Sequence, residues 1–252
     1  MSDATRAEVC ITACADEWRT AGEVLISPFG VIPTVGARLA RATFAPDVLL
    51  TDGEAMLADG VWAVGDSPAV NEGWMPYRSM FDLVWSGRRH IMMIPSQIDR
   101  FGNVNISCIG SDYQHPAVQL IGVRGGPGNT VNHPTSYWVP RHTARAFVQR
   151  VDMVSGVGYD SAAAAGPSAQ RFHDVRRVVT DLAVLDFGSP DHSMRLVSTH
   201  PGIDAEQVQE ATGFSLAVNG EVPQTRLPTD QELRLIREVI DPRGARRGEL
   251  DA

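Results

Sequence analysis

Val24-Leu25-Ile26-Ser27-Pro28-Phe29-Gly30, then Ile32-Pro33-Thr34 leading into residues 35–42, then Val48-Leu49-Leu50-Thr51-Asp52-Gly53, is the stretch that decides the fold. The first run is apolar until Pro28 and Gly30 stop it, which predicts a buried strand and a turn. Pro33 and Thr34 supply the chemistry of a helix start. Val48 to Thr51 predicts a second strand, closed by the Asp52-Gly53 turn. Upstream, residues 8–25 are small and apolar with a helical period and predict a helix ending near Gly22. Downstream, the predicted strands are Asp82 to Trp85, His90 to Ile94, Val118 to Val123 and Val178 to Phe187. Helices are predicted at Glu206 to Thr212 and at Asp230 to Ile240, the latter with Leu233, Ile236 and Val239 on one stripe.

Short apolar strands separated by helical stretches indicate parallel pairing with both sheet faces covered. The expected fold is therefore α/β, an open, mostly parallel sheet with helices on both faces. Sites in such sheets gather beyond the carboxyl ends of the strands. The expected organisation is one domain over residues 1–240 and a polar tail over 241–252 that frays.

Composition removes several classes of function. The 252 residues carry a formal charge of −8, so no cationic excess is available for nucleic acid or an anionic membrane. No apolar run approaches the roughly 18 residues of a membrane span, and the first residues lack a secretory pattern, so a cytoplasmic protein is expected. Cys10, Cys14 and Cys108 are read as buried thiols, and no His or Cys pairs stand at metal-ligand spacing. No metal and no bound cofactor are expected.

Four segments carry chemistry. Gly122-Val123-Arg124-Gly125-Gly126-Pro127-Gly128-Asn129 follows a predicted strand and lacks the Gly-Lys-Ser/Thr of a P-loop and the spacing of a dinucleotide fingerprint. Its Gly122, Gly125 and Gly126 serve either a structural turn or a loop whose N–H groups approach a ligand. His133 lies beside it. Gln97 to Asn105 reads as an ordered polar turn. Asn71-Glu72-Gly73-Trp74-Met75-Pro76-Tyr77-Arg78 mixes a carboxylate, a phenol, a guanidinium and large apolar groups, suiting either an amphipathic ligand wall or core packing. Asp52 and Glu54 flank the turn after the second strand, where a carboxylate serves as nucleophile or base or merely shapes the turn.

In this order the segments resemble the β subunits of class I coenzyme A transferases over nearly the whole chain. Gly30 to Thr34 is similar to that family's Gly-Ile-Pro-Thr element, and Pro46-Asp47 to the lead-in of its catalytic loop. Gln97, Asp99, Gly102 and Asn103 resemble its Gln-Val-Asp and Gly-Asn pattern, and Gly122, Gly125 and Gly126 its Gly-x-Gly-Gly loop. Val179-Thr180-Asp181-Leu182-Ala183-Val184-Leu185, Pro201-Gly202 and Ala211-Thr212-Gly213-Phe214 resemble its closing signature. The resemblance implies a coenzyme A thioester substrate and an obligate α subunit, in a heterodimer or an α2β2 heterotetramer.

One departure separates the chain from true transferases. Their β subunits carry a glutamate after the second strand that becomes a covalent glutamyl-CoA. Here the turn reads Leu50-Thr51-Asp52-Gly53, with Glu54 beyond it. Asn71 to Arg78, Asn129 to Tyr137 and Gly156 to Asp160 bring the likeness nearer to the transferase-like β subunits of actinobacterial steroid (cholesterol) catabolism. These imply hydrolytic, retro-Claisen-type opening of a cyclic β-keto acyl-CoA. On that reading Tyr77, Asp52, Glu54 and His133 are the catalytic candidates. Arg78, Asn71, Gly122, Gly125, Gly126 and Asn129 are candidates for contact with substrate or coenzyme A. The alternatives are a transferase working through Asp52 or Glu54, and a non-catalytic subunit that completes the α chain's site.

Overall fold

The structure, a computed structural model, describes residues 4–53 and 55–250. It divides into two compact units, one built from the chain up to Met93 together with the chain from Thr225 onward, the other from Ile94–Gln224.

The first unit opens with α1 (Arg6–Asp16). Thr5 and Glu8 start it by a capping box: the Glu8 N–H donates to the Thr5 hydroxyl, and the Thr5 N–H donates to the Glu8 carboxylate. Residues 17–20 form turns, so the helix stops short of the predicted end near Gly22. β1 (Leu25–Pro28) pairs in parallel with β5 (Arg89–Met93), Leu25 opposite Arg89 and Pro28 opposite Met92. Between them run α2 (Val31–Thr43), β2 (Leu50–Thr51), β3 (Met56–Ala58), β4 (Asn71–Trp74) and α3 (Tyr77–Ser86), with β2, β3 and β4 forming a small antiparallel sheet. α1 and α2 approach so closely that a Cβ on Gly36 would stand 2.9 Å from the Ile11 carbonyl oxygen. The strand predicted at Asp82 to Trp85 is instead the second half of α3. The three apolar residues Leu83-Val84-Trp85 fit either period, and Pro76 before the helix and Gly87 in the left-handed conformation after it fix the outcome.

The second unit contains the hairpin β6 (Gln97–Ile98) and β7 (Val104–Asn105), the pair β8 (Cys108–Ile109) and β9 (Val118–Gln119), α4 (Gly126–Asn132), β10 (Thr135–Val139), α5 (Tyr159–Ala165), α6 (Pro167–Gln170), β11 (Val175–Thr180), β12 (Ala183–Asp186), β13 (Arg195–Thr199) and α7 (Ala205–Glu210). β10 and β11 are parallel, while β11, β12 and β13 are antiparallel. The pairing is therefore mixed, in keeping with an α/β class. Tyr137 and Trp138 on β10 are fully buried in its core. The run predicted as one strand from Val178 to Phe187 is a hairpin, because the Thr180 hydroxyl accepts the N–H groups of Leu182 and Ala183, each at 3.0 Å, and turns the chain. Of the strand predicted at Val118 to Val123, only Val118–Gln119 pairs, and Gly122 takes a φ of 89°.

The chain then returns to the first unit through α8 (Asp230–Arg234), a π-helical turn at Leu235–Ile240, and α9 (Arg247–Leu250). The wider turn shifts the buried stripe, so Leu233, Ile236 and Ile240 face inward and Val239, predicted inside, is exposed. The stretch from Asp241, expected to fray, is anchored. Arg246 donates to Asp241 at 2.9 Å and to Glu8 at 3.1 Å, and Arg237 donates twice to Glu8 at 2.8 Å. Burial alone would raise the Glu8 carboxyl, but hydrogen bonds from Arg237 and Thr5 outweigh it and hold the group down at about 2.

Among the described residues no helix is long and apolar enough to cross a membrane, and no group of three or more His, Cys, Asp or Glu could hold a metal ion. The three cysteines are buried and unbridged.

Candidate active site

In the first unit the carboxyl ends of β1 and β2 open onto one cavity of about 480 Å3. β1 delivers Ser27 and Pro28 and breaks at Phe29-Gly30, where Gly30 takes a φ of 90° that lets the chain turn directly into α2. β2 delivers Thr51, Asp52 and Gly53. The walls are apolar over Leu25, Ile26, Leu50, Met75 and Met80.

The loop after β2 is braced by its own side chains. The Asp52 carboxylate accepts the Met56 N–H at 3.1 Å, the Asp52 N–H donates to the Met56 carbonyl at 2.9 Å, and the Gly53 N–H donates to the Thr51 hydroxyl at 3.2 Å. Glu54 lies outside the described residues.

Two arginines line the cavity. Arg89, at the start of β5, is 8% exposed and donates through Nε to the Ser27 hydroxyl at 2.9 Å. Arg38, on α2, is also 8% exposed, and its guanidinium lies 4.4 Å from the centre of the Trp62 ring. Burial pushes both guanidinium groups down to about 10, with the Asp66 carboxylate working in the opposite direction on Arg38. Both stay cationic at neutral pH. Arg38 Nη1 and Trp62 Nε1 are buried donors with no hydrogen-bond partner, although an unsatisfied buried donor costs about 1–3 kcal/mol.

The other candidates in this unit are on the surface. Asn71 is exposed on β4, and Tyr77 and Arg78 are exposed at the start of α3. Tyr77, Phe81 and Trp85 make an aromatic stripe along α3, a helix with no buried residue, and the Tyr77 and Phe81 rings meet edge to face with centroids 5.5 Å apart.

The second unit holds the remaining candidates. Gly125 and Gly126 open α4, Asn129 stands in its middle and His133 caps its far end, both buried. His133 Nε2 lies 3.2 Å from Asn129 Oδ1, and its Nδ1 lies 3.1 Å from the Pro134 carbonyl oxygen. The bare Cα of Gly126 admits the Ser155 carbonyl, whose oxygen would stand 2.4 Å from any Cβ there. That close approach accounts for one glycine of the cluster by packing, while a Cβ on Gly122 would meet open space.

The structure thus brings Asp52 to a cavity with Ser27, Arg38, Trp62 and Arg89, four residues that the sequence reading passed over. Arg38 interrupts an apolar helical run and Arg89 begins an apolar strand. A charge inside an apolar period was the available signal.

No family model matches the chain. Over 250 residues it is 54% identical to the cholesterol ring-cleaving hydrolase IpdB subunit of Rhodococcus jostii (strain RHA1), covering 99% of this chain and 98% of that protein. Its structure matches the crystal structure of Rhodococcus jostii RHA1 IpdAB with a TM-score of 0.94 at 54% identity, covering 100% of each chain. Glutaconate coenzyme A-transferase from Acidaminococcus fermentans shares the fold, with a TM-score of 0.82 at 24% identity over 99% of this chain and 98% of that one.

Proposed function

The chain belongs to the family of cholesterol ring-cleaving hydrolase IpdB subunits, and from that membership we propose that it is the β subunit of a heteromeric, coenzyme A transferase-like hydrolase opening a carbon–carbon bond in a steroid-derived cyclic β-keto acyl-CoA. The observation that carries the reading is the loop Thr51-Asp52-Gly53 on the cavity. Where transferases present a glutamate, this chain presents an aspartate whose carboxylate accepts a backbone N–H of its own hairpin. A side chain committed to its turn and one methylene shorter is badly placed to attack a thioester, since covalent catalysis tolerates little misplacement.

Hydrolysis needs no protein acyl bond. Water adds to the ring ketone, the bond between the ring carbonyl carbon and the carbon next to the thioester breaks, and its electron pair passes into a thioester enolate that takes a proton. The ketone ends as a carboxylate and the thioester survives. The protein's task is to hold the thioester, direct water and offer donors to the enolate oxygen. The base that receives the water's proton comes from the α subunit, so this chain is active only in company. The exposed aromatic stripe of α3 supports a companion chain, since large apolar side chains with no cover mark contact surfaces. Substrate contacts from Asn71, Tyr77, Arg78, Gly122, Gly125, Gly126, Asn129 and His133 belong to the same proposal.

The test is to assemble the chain with its α subunit and supply a cyclic β-keto acyl-CoA in 18O-labelled water. One labelled oxygen should enter the new carboxylate, and hydroxylamine should trap no modified Asp52 or Glu54 during turnover. A coenzyme A adduct on either residue would make the chain a transferase subunit instead.

A further inference from the structure

The amino end of α2 stands beside the cavity and is closed by a residue from the far end of the chain. The first N–H groups of a helix have no partner inside it and need acceptors from elsewhere. Gly30, at the N-cap of α2, has no side chain to serve as one, and Pro33 in the first turn carries no N–H. Ile32 is fully buried, so its N–H needs an acceptor from the protein. That acceptor is Glu249 on α9, whose carboxylate Oε2 takes the Ile32 N–H at 2.6 Å across 217 positions of sequence. A negative charge at this end of α2 also complements the dipole of the helix.

Glu249 is delivered to α2 by a segment that is itself fastened. Asp241 accepts the N–H groups of Ala245 at 2.8 Å and Arg246 at 3.0 Å, and the Arg246 guanidinium reaches Asp241 and, on α1, Glu8. What the Glu249 carboxylate steadies is a wall of the cavity. Gly30 at the N-cap and Thr34, Ala37 and Arg38 on α2 all line that space. From inside the helix, the Thr34 N–H at 3.2 Å and the Thr34 hydroxyl at 2.6 Å close the first turn on the Gly30 carbonyl oxygen. Glu249 ties the same turn from outside. Resting on the reading that this cavity is where the ring opens, we infer that Glu249 is a positioning residue for the reaction. It is not among the residues lining the cavity, and it acts through the Ile32 N–H, fixing where the first turns of α2 present their groups to the site. The last helix thereby serves the cavity without lining it.

The experiment uses the assembled heteromer and a cyclic β-keto acyl-CoA. Turnover is measured for the native enzyme, Glu249→Ala and Glu249→Gln, and backbone amide exchange is followed over residues 29–38 without substrate. Glu249→Ala should lower kcat at least about tenfold and move KM by less than about threefold, because the substrate still binds while the reacting atoms lose their alignment. Exchange over residues 29–38 should quicken at least about tenfold in the same variant. Glu249→Gln keeps an acceptor oxygen at the same reach and should recover most of both changes. Thermal melting and the mass of the heteromer establish that each variant is folded and assembled. Glu249→Met, which keeps the length without an acceptor, gives a second route should Glu249→Ala not assemble. Unchanged exchange over residues 29–38 would overturn the inference. So would quickened exchange with a native kcat, since the contact would then serve stability alone, and so would a loss of kcat that Glu249→Gln does not recover. If the native heteromer opens no ring, the ring-opening reading fails and exchange alone decides: quickened in Glu249→Ala and recovered in Glu249→Gln, it leaves Glu249 positioning the wall of a site with another reaction; unchanged, it removes that role too.

Discussion

Glu8 and Arg38 are buried charges in the same unit, and the fold treats them in opposite ways. Glu8 is surrounded by donors: the guanidinium groups of Arg237 and Arg246 and the N–H of Thr5 all reach its carboxylate within 3.1 Å. Arg38 has a stacked indole and a donor that reaches nothing. Taking a charge out of water costs several kcal/mol unless partners replace the lost solvation. Glu8 meets that condition within the chain and joins residues near both of its ends. Arg38 does not: its Nη1 is buried with no hydrogen-bond partner.

The largest effect is expected at Glu8. Glu8→Gln leaves Arg237 and Arg246 facing a neutral amide, and urea unfolding should show a loss of about 3–5 kcal/mol. A loss below about 1 kcal/mol would mean that the network is ornamental. Acid titration sharpens the same point. The Glu8 carboxyl sits at about 2 when folded against an ordinary value of 4.5, so its stabilisation is present above about 4.5 and drains away as pH falls towards 2. That limb of the stability profile should flatten in Glu8→Gln. A smaller effect is expected at the other pole. Arg38→Met removes a charge with an unmet donor, so in the absence of substrate the unfolding free energy should change by less than about 1 kcal/mol in either direction. A loss as large as that of Glu8→Gln would show that the fold depends on Arg38 as much as on Glu8. The smallest change is expected outside both clusters, where Trp85→Ser, on the exposed stripe of α3, should move the melting transition of the isolated chain by an amount worth under about 0.5 kcal/mol. Its effect should emerge as weaker assembly with the α subunit, read by sedimentation at dilute concentration.

The sequence reading reached the framework and stopped at burial. β1, α2 and β2 were legible because Pro28, Gly30 and Asp52-Gly53 punctuate apolar runs that have one clear period. The Leu83-Val84-Trp85 run was misread because three apolar residues fit a strand as well as a helix, and Pro76 before it with Gly87 in its left-handed conformation after it decide. The hairpin inside Val178 to Phe187 was hidden because its turn is made by one threonine hydroxyl and not by a Gly or Pro. Asp52 was legible as a site residue from its position after β2. Arg38, Trp62 and Arg89 were not, since which face of α2 or which end of β5 is enclosed depends on neighbours distant in sequence. The family likeness supplied the reaction class, a matter on which composition and periodicity are silent.

The division of the chain has a consequence for how the molecule is made. Ile94–Gln224 is a continuous segment, whereas the first unit is interrupted by it and resumes at Thr225. On the ribosome the segment Ile94–Gln224 emerges while Glu8 still lacks Arg237 and Arg246, which follow that segment in the chain. A nascent chain therefore carries the Glu8 carboxylate without its two guanidinium partners until Arg237 and Arg246 have emerged, and a polypeptide that stops short of Arg237 leaves α1 without its clasp.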